Sequence, residues 1–447
     1  MLGRAVSTCA RAIYWSFGGL FLLTPLVVCP QTHELFEFPK LLFVYALTVV
    51  IVAAFLIKRF LNPTRIPKNP LGTPTLLYVS CFLLSTAFSI HAYTSVFGYY
   101  SRFHGGLLSL LAYISLFFIY VAEFRGQPEK ALATCRLLLG SALLVALYGV
   151  LQRVGIDQSY WIQDSAARVF STLGQPNWLA AWLVMVLPLS WVFYLQAKTR
   201  LLVTGYWLLS ITLFASFWFT YSLSGVLGFL VTVLVFAALA PKEIIVRNKR
   251  KVLLLITSYL LLAVLQPGLF APRMRSLWEG LVRAPQILAA TAQPLTPGGD
   301  TAEIRGIVWR GALNLWRSSP KNALLGTGPE TFAYAFLPFR PEGLNQTSEW
   351  DFLYNKAHNE YIDILCGTGL LGLGAYLFLV GSFLWWGMKA VKSCSGRLLP
   401  ALLAGWASLL VTNFFGFAVV PTALLFWLYP AICLTLPPHI DSGPAIS

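Results

Sequence analysis

The sequence predicts an all-α integral membrane protein with about twelve transmembrane helices and one large helical loop outside the membrane. Of its 447 residues, 57% are hydrophobic and only 11% are charged, and the mean hydropathy is +0.70. This composition is typical of a chain whose solvent is lipid. A bilayer core of ~30 Å needs about 20 apolar residues per helix. Twelve apolar runs come close to that length: 12–29, 41–57, 74–91, 105–121, 134–152, 177–195, 201–219, 224–240, 252–270, 361–384, 398–416 and 420–437.

The basic residues orient these spans. The formal net charge is +15, but Lys and Arg recur in short loops between apolar runs, so we interpret them as orientation signals and expect no nucleic-acid partner. One set of alternate connections holds 19 of them, and the short loops of the other set hold 4. This asymmetry places both termini in the cytoplasm and the long loop outside. In a bacterium, the chain is then a multi-pass protein of the inner (plasma) membrane with a periplasmic loop. Lys40 we interpret as an interfacial anchor.

Three parts follow from this layout: 1–270 with spans one to nine, 271–360 as the periplasmic loop, and 361–447 with spans ten to twelve and a short cytoplasmic tail. The span cores carry almost no ionisable residue, and no internal repeat is evident. Both observations disfavour an ion-coupled transporter. The seven cysteines are scattered without a CxxC pair, so we expect no disulfide framework and no zinc site, and assign neither a metal nor a cofactor.

The loop 271–360 is the long polar segment in which we expect the chemistry. Residues 274–290 predict a kinked interfacial helix. A second helix begins at Asp300, which can cap it, with Glu303 three residues later as in a capping box. Its apolar stripe recurs at intervals of three and four residues and consists of Ile304, Val308, Ala312 and Leu315.

Two residues of this loop are candidates for catalysis. Arg305 can hold a phosphate through a planar pair of donors, although position alone favours a solvated arginine or one bound to lipid headgroups. His358 can act as a general base, because its unperturbed pKa of about 6.5 suits proton abstraction near neutral pH. The alternative is a histidine satisfied by nearby backbone. Glu360 and Asp363 lie close to it, but their spacing fits no zinc pattern.

Two shorter external loops add basic residues on the same side of the membrane. Arg102 precedes the run 105–121, and Arg168 leads into the run 177–195, where Asn177 suits a helix start. Arginines that converge over the outer end of a helix bundle form a site for a lipid-linked phosphate or diphosphate. Each arginine alone is weak evidence, and their common side strengthens the interpretation.

Three motifs follow one another in and after the long loop. They are Arg305 with Trp309, then Pro320 with Gly326-Thr327-Gly328-Pro329-Glu330-Thr331-Phe332, then His358-Asn359-Glu360-Tyr361. Together with twelve spans and a large loop between the ninth and the tenth, this order resembles the O-antigen ligase and O-antigen polymerase superfamily of bacterial envelope proteins. The stretch 168–177 also looks like a family segment that begins with arginine and ends near asparagine. This chain has Gln175 where asparagine is common in that segment.

The resemblance implies a GT-C-like fold and a metal-independent, inverting glycosyltransferase. Such an enzyme transfers a glycan from undecaprenyl diphosphate to a glycan, lipid A-core or protein acceptor at the periplasmic face, among membrane lipids. Arg305 would hold the diphosphate, and His358 would activate the acceptor hydroxyl or support the diphosphate. The residues that the resemblance and position suggest for binding the diphosphate or glycan are Arg168, Arg102, Asn177, Glu330, Asn359 and Tyr361.

One motif departs from the family pattern. Members often carry an arginine after a serine at the outer start of span eight, where this chain has Leu223. Either Arg168 or Arg102 supplies the charge, or the chain is a divergent or inactive member. Ligases and polymerases share these features, so the acceptor stays open. The alternatives are a lipid-linked oligosaccharide flippase or exporter, for which the span cores offer no charged passage, and a non-catalytic envelope-assembly subunit.

Overall fold

The computed structural model describes residues 1–64, 68–268, 270, 301–393 and 397–436, and these residues form helices and turns without a β-strand. In chain order the α-helices are α1 (Leu2–Leu23), α2 (Glu37–Leu61), α3 (Gly72–Ala87), α4 (Ala92–Phe97), α5 (Leu107–Phe124), α6 (Pro128–Arg153), α7 (Pro176–Gln196), α8 (Arg200–Phe219), α9 (Leu223–Leu239), α10 (Lys242–Arg247), α11 (Lys249–Leu265), α12 (Thr301–Arg317), α13 (Pro320–Leu325), α14 (Phe332–Ala335), α15 (Glu360–Ser393), α16 (Leu398–Thr412) and α17 (Val420–Thr435).

Every predicted span overlaps one of these helices. Eight helices of the described chain are long and apolar enough to cross a membrane, namely α1, α2, α5, α6, α7, α8, α15 and α16, the first and last with the short turn that follows them. Helices α3, α9 and α17 are apolar but shorter. The protein is therefore an all-helical, multi-pass membrane protein, and the number of twelve spans stays a prediction.

The centre of the bundle is built from α7, α16 and α17. In α7, 94% of the apolar window is buried, as expected for a helix that is apolar on all sides and enclosed by other helices. Two aromatic side chains of this core pair their polar atoms with backbone carbonyls. The Tyr429 hydroxyl donates to the Met185 carbonyl (3.2 Å), and the Trp406 indole donates to the Phe426 carbonyl (2.8 Å). The first residues of α7 and α17 lie at the end of the bundle that carries the candidate site.

A second, smaller core lies under α12. The predicted apolar stripe of this helix is buried, and it packs against Phe332, Phe336, Tyr354 and Ala357. The capping residue Asp300 and the predicted helix at 274–290 lie outside the described residues, as does the end of the chain from 437. The small core fixes α12 against the segment that leads into α15.

The glycine turn, Gly326–Gly328, docks on a break in α15. At Gly369 the backbone is left-handed (φ 65°), a conformation that glycine adopts without steric cost. The carbonyl oxygens of Cys366 and Gly367, just before the break, accept N–H groups of Thr327 and the next residue (2.9 Å each). A Cβ atom on Gly326 would lie 2.3 Å from the backbone of Gly367. The turn therefore requires glycine for close backbone contact.

Candidate active site at one end of the bundle

Arg305 lies at the edge of α12, beside the stripe that the helix buries. It is half-buried, and burial lowers the pKa of its guanidinium, while the charge of Glu349 opposes this. Within the described part of the chain, its side chain forms no hydrogen bond or salt bridge. One turn further on, the indole of Trp309 donates to the Ala357 carbonyl (2.9 Å). This bond holds α12 against the residue before His358, with the donors of Arg305 open to a ligand.

His358 is held by hydrogen bonds on both sides. Its own backbone is left-handed (φ 54°), which is unfavourable for a side chain with a Cβ atom and persists only where the surroundings enforce it. The preceding N–H, of Ala357, donates to Asp363 Oδ1 (2.7 Å). The following side chain, Asn359, accepts the N–H groups of residues 361 and 362 (3.0 and 3.1 Å) and so caps α15. These bonds fix the backbone on either side of His358.

Phe417 brings the imidazole and two cations together. Its ring centroid lies 5.5 Å from that of His358, 5.0 Å from the guanidinium carbon of Arg102 and 5.9 Å from Nζ of Lys356. The same guanidinium carbon lies 5.0 Å from the ring of Trp178. Arg102 is thus held against two aromatic faces, which attract a cation. Since Phe417 is only 7% exposed, these contacts are largely shielded from solvent.

The positive charges of the site keep His358 neutral. Burial lowers its pKa, and the charges of Arg305, Arg102 and Lys356 lower it further, to about 4. The pKa of His104 is lowered to about 3 by burial and by Lys356 and Arg102. Burial and neighbouring cations both disfavour an imidazolium. At neutral pH both rings therefore have a free lone pair.

Lys356 is the third cation, and it is partly compensated. It forms a salt bridge with Glu330, with side-chain exposures of 17% and 8%, respectively. Burial alone would lower the pKa of Lys356, but the charges of Glu330, Asp363 and Glu360 outweigh this effect and raise it. The ammonium therefore stays charged at neutral pH. Glu330, a predicted substrate-binding residue, has this lysine as its direct partner.

Two carboxylates fix the loop that carries Phe417. Glu37, the first residue of α2, accepts the N–H of Val420 (2.6 Å), and Glu360 accepts the N–H of Ala418 (2.9 Å). Both N–H groups belong to the end of the loop between α16 and α17, where the helix has no internal partners for them. The aromatic ring between the cations is thus anchored from two other helices.

The interpretation of Lys40 as an interfacial anchor is wrong. The side chain is fully buried, and Nζ donates to the carbonyls of Phe36 and Thr172 (2.8 Å each). A buried ammonium needs such partners to offset its lost hydration. Lys40 therefore connects α2 to the loop that follows Arg168.

Arg168 and Asn177 lie together beside the end of α8. The Arg168 guanidinium donates to the carbonyl of Thr220 (3.0 Å) and to Asn177 Oδ1 (3.4 Å). Thr220 stands three residues before Leu223, the position at which the resemblance leads us to expect arginine. Asn177 also precedes Trp178, the ring on which Arg102 lies. The structure thus brings Arg168 next to the altered motif, whereas Arg102 lies beside His358.

Two residues predicted to bind substrate form hydrogen bonds within the protein instead. Two further residues belong to the site although the sequence did not indicate them. Asn359 caps α15, and the Tyr361 hydroxyl donates to the Leu410 carbonyl (2.8 Å), so substrate binding stays a prediction for both. Phe417 and Trp178 were not candidates. Phe417 lies in the gap between two apolar runs, where no motif marks it, and Trp178 resembles any other aromatic residue at a helix start.

The structure places α12, the glycine turn and His358 at one end of the bundle. These elements lie in a segment that a comparison with protein families matches. Residues 208–377 match the family model described as O-antigen ligase. This segment is similar to the O-antigen ligase family. This confirms the superfamily that the motifs resemble, and it indicates a ligase- or glycosyltransferase-type enzyme acting with a lipid-linked glycan donor and a glycan acceptor in a membrane. Arg102, Trp178 and Phe417 lie outside residues 208–377, the segment that the family model matches. No curated protein matches the chain.

Proposed function

We propose that the protein transfers a glycan from undecaprenyl diphosphate to an acceptor hydroxyl at the periplasmic face of the bacterial inner membrane. The observation that carries this proposal is the convergence of three cations on a neutral imidazole at one end of an apolar helix bundle. A polyprenyl diphosphate has the matching form, because its tail is soluble in lipid and its headgroup is a compact anion at the membrane surface.

The proposed topology completes this arrangement. It has twelve spans with both termini in the cytoplasm. Residues 271–360 form the periplasmic loop between spans one to nine (residues 1–270) and spans ten to twelve (residues 361–447). In this orientation Arg305, Arg102 and His358 face the periplasm, where the glycan of a translocated lipid-linked donor is found. The excess of Lys and Arg in the alternate loops supports the orientation.

The two arginines act on the leaving group. Arg305 offers a planar pair of donors for two phosphate oxygens, and Arg102 adds a second positive charge from its aromatic cradle. When the bond between the anomeric carbon and the diphosphate oxygen breaks, its electron pair goes to that oxygen. Cations already oriented toward this oxygen stabilise the developing charge. Because they supply the positive charge themselves, the proposed reaction requires no metal ion.

His358 acts on the acceptor. Its neutral ring takes the proton of the acceptor hydroxyl while the acceptor oxygen forms its bond to the anomeric carbon. Attack from the face opposite the diphosphate inverts that carbon. The products are the extended acceptor and undecaprenyl diphosphate, and the proton leaves from the imidazole. Arg168, which donates to the Thr220 carbonyl three residues before Leu223, supplies the positive charge that the altered motif lacks.

The donor is expected to switch His358 to a stronger base. In the free enzyme its pKa of about 4 reflects burial and three cations, and a bound diphosphate offsets the cations and raises the pKa toward about 6.5. Activity needs the deprotonated ring, so it falls as the pH drops through this pKa. We therefore expect the acidic limb of kcat/KM, which reports free enzyme, at a lower pH than that of kcat, which reports the complex. Coincident limbs would contradict the coupling between donor and base.

Replacing Phe417 by leucine is expected to weaken donor binding about 5- to 30-fold, because a shielded cation–π contact contributes ~1–2 kcal/mol. Arg102 keeps only the ring of Trp178 in this variant. Phe417→Tyr retains the aromatic face and should stay within about twofold of the wild type. Phe415→Leu is the matched control, since Phe415 lies in the same turn and its ring contacts Phe414. Equal KM values for the donor in all three variants would rule out this positioning role.

The proposed function is tested by transfer in vitro from a purified undecaprenyl-diphosphate glycan, with EDTA present. Lipid A-core, the glycan itself and a hydroxyl-bearing protein are offered as acceptors in parallel. We expect release of undecaprenyl diphosphate and one glycosylated acceptor, whose identity distinguishes a ligase from a polymerase. Absence of transfer to all three would reject the assignment, and transfer that EDTA abolishes would reject the metal-independent mechanism.

A further inference from the structure

A cavity of about 130 Å³ adjoins the cationic site but is built from other residues. It lies among α3, α5, α15 and α17, with His104 and Lys356 at its polar end. Arg305, His358 and Phe417 do not line it. Lys356 belongs to both places, because it lines the cavity and its charge acts on His358. The cavity therefore borders the candidate catalytic base across one side chain.

The polar end of the cavity is acidic, in contrast to the neighbouring site. Glu330, Glu360 and Asp363 line it with a single lysine. The Oδ2 atom of Asp363 is buried and has no hydrogen-bond partner among the described residues, and an unpaired buried acceptor is costly. The three carboxylates form no group that could hold a metal ion within the part of the chain that the structure describes. The chemistry favours a ligand that donates hydrogen bonds.

The remaining walls are aromatic. Each of the four surrounding helices contributes at least one ring, and Phe332 adds another; the helical rings are Tyr78, Phe82, Tyr113, Tyr376, Phe426 and Trp427. Hydroxyl groups directed at carboxylates form charge-assisted hydrogen bonds, and aromatic faces pack against the C–H face of a pyranose ring. An anion is disfavoured here, because like charges oppose each other in a buried site. The cavity and the cationic site thus suit opposite halves of the proposed reaction.

We infer that this cavity binds the uncharged sugar ring that carries the acceptor hydroxyl. This inference rests on the proposed function and names the substrate that the second site takes. The donor diphosphate requires the arginines. The cavity offers it instead the carboxyl groups of Glu360 and Asp363 and a lysine already paired with Glu330, so the cavity is left for the other substrate. Lys356 lines the cavity, and both its Nζ and the imidazole of His358 lie against the ring of Phe417 (5.9 and 5.5 Å to its centroid). A sugar ring held at this lysine therefore borders the imidazole that is proposed to receive the hydroxyl proton.

Binding is tested by saturation-transfer NMR on the protein in lipid nanodiscs. The probes are the methyl pyranosides of glucose, galactose, mannose, rhamnose and N-acetylglucosamine, together with methyl glucuronide. We expect a signal from at least one neutral glycoside and at least a tenfold smaller one from the glucuronide. Ala423→Phe places a ring in the cavity and should abolish the signal. Ala53→Phe, at an exposed position on α2, is the matched control and should keep it.

Three results would overturn the inference: no signal from any neutral glycoside, equal binding of the glucuronide, or a signal that Ala423→Phe leaves intact. Binding of undecaprenyl diphosphate is measured on the same samples, and it should be retained in Ala423→Phe and lost in Arg305→Ala. If Ala423→Phe transfers glycan with an unchanged acceptor KM, the cavity inference fails while the proposed function stands. If glycosides bind the cavity but the wild type transfers nothing, the proposed function fails instead.

Discussion

His358→Asn is expected to lower kcat for glycan transfer about 10²- to 10⁴-fold, the usual contribution of a general base. The reason is that, of the two neutral imidazoles at this end of the bundle, His358 is the one whose pKa is lowered by the charge of Arg305 as well as by Arg102 and Lys356. Donor affinity should change little, since the diphosphate is assigned to Arg305 and Arg102. The measurement is single-turnover transfer with donor and acceptor both saturating, alongside the binding of undecaprenyl diphosphate.

Asparagine is the informative substitution because of the backbone at this position. His358 has a φ of 54°, and asparagine tolerates the left-handed region better than most residues. The cap from Asn359 and the bond from Ala357 to Asp363 do not involve the imidazole, so the variant should fold. His33→Asn, at an exposed position, is the control. A His358→Asn enzyme with kcat near that of the wild type would exclude this residue as the base.

Arg305→Ala is expected to lower kcat/KM for the donor about 10²- to 10³-fold, as for removal of one group that stabilises a developing oxyanion. Arg305→Lys keeps the charge but loses the planar pair of donors, so its activity should lie between those of wild type and Arg305→Ala. Both variants are assayed for donor binding and for the rate of the chemical step. A lysine variant as active as the wild type would show that the charge, not the bidentate geometry, is what matters.

The matched control is Arg310→Ala, on the exposed side of the same helix. It removes one guanidinium from α12 without touching the site, and it should leave transfer unchanged. A second readout separates electrostatics from folding. Loss of the Arg305 charge raises the pKa of His358, so the acidic limb of kcat/KM should move to higher pH. If Arg305→Ala loses activity without that movement, the two side chains do not share one site.

The helices could be predicted from the sequence because lipid imposes a simple rule. Backbone groups in hydrocarbon must be paired within the segment, so apolar runs of sufficient length become helices. All twelve predicted spans accordingly overlap helices, and the stripe on α12 is buried as its period requires. The glycine turn was recognised as a motif from the sequence. The physical reason for its glycines is a close backbone contact with the break in α15 at Gly369, which is far along the chain.

The chemistry of the site was only partly predictable. Charge placement along the chain predicted a common side of the membrane for Arg102, Arg305 and His358, and the structure brings the three residues to the same end of the bundle. Charge placement could not show that Phe417 joins them, since a phenylalanine between two apolar runs carries no distinguishing signal. Lys40 was misinterpreted for a related reason: whether a lysine near a helix start faces lipid headgroups or a buried loop depends on distant carbonyl groups.

The sequence by itself determined the helices and the motifs that resemble the O-antigen ligase family, because each is encoded in a local pattern. Only the tertiary structure decided which charges act on His358, which ring holds Arg102 and that an acidic cavity borders a cationic site. These properties depend on contacts between residues far apart in the chain. The free energy of a buried charge is set by its spatial neighbours, and their order along the chain does not specify them.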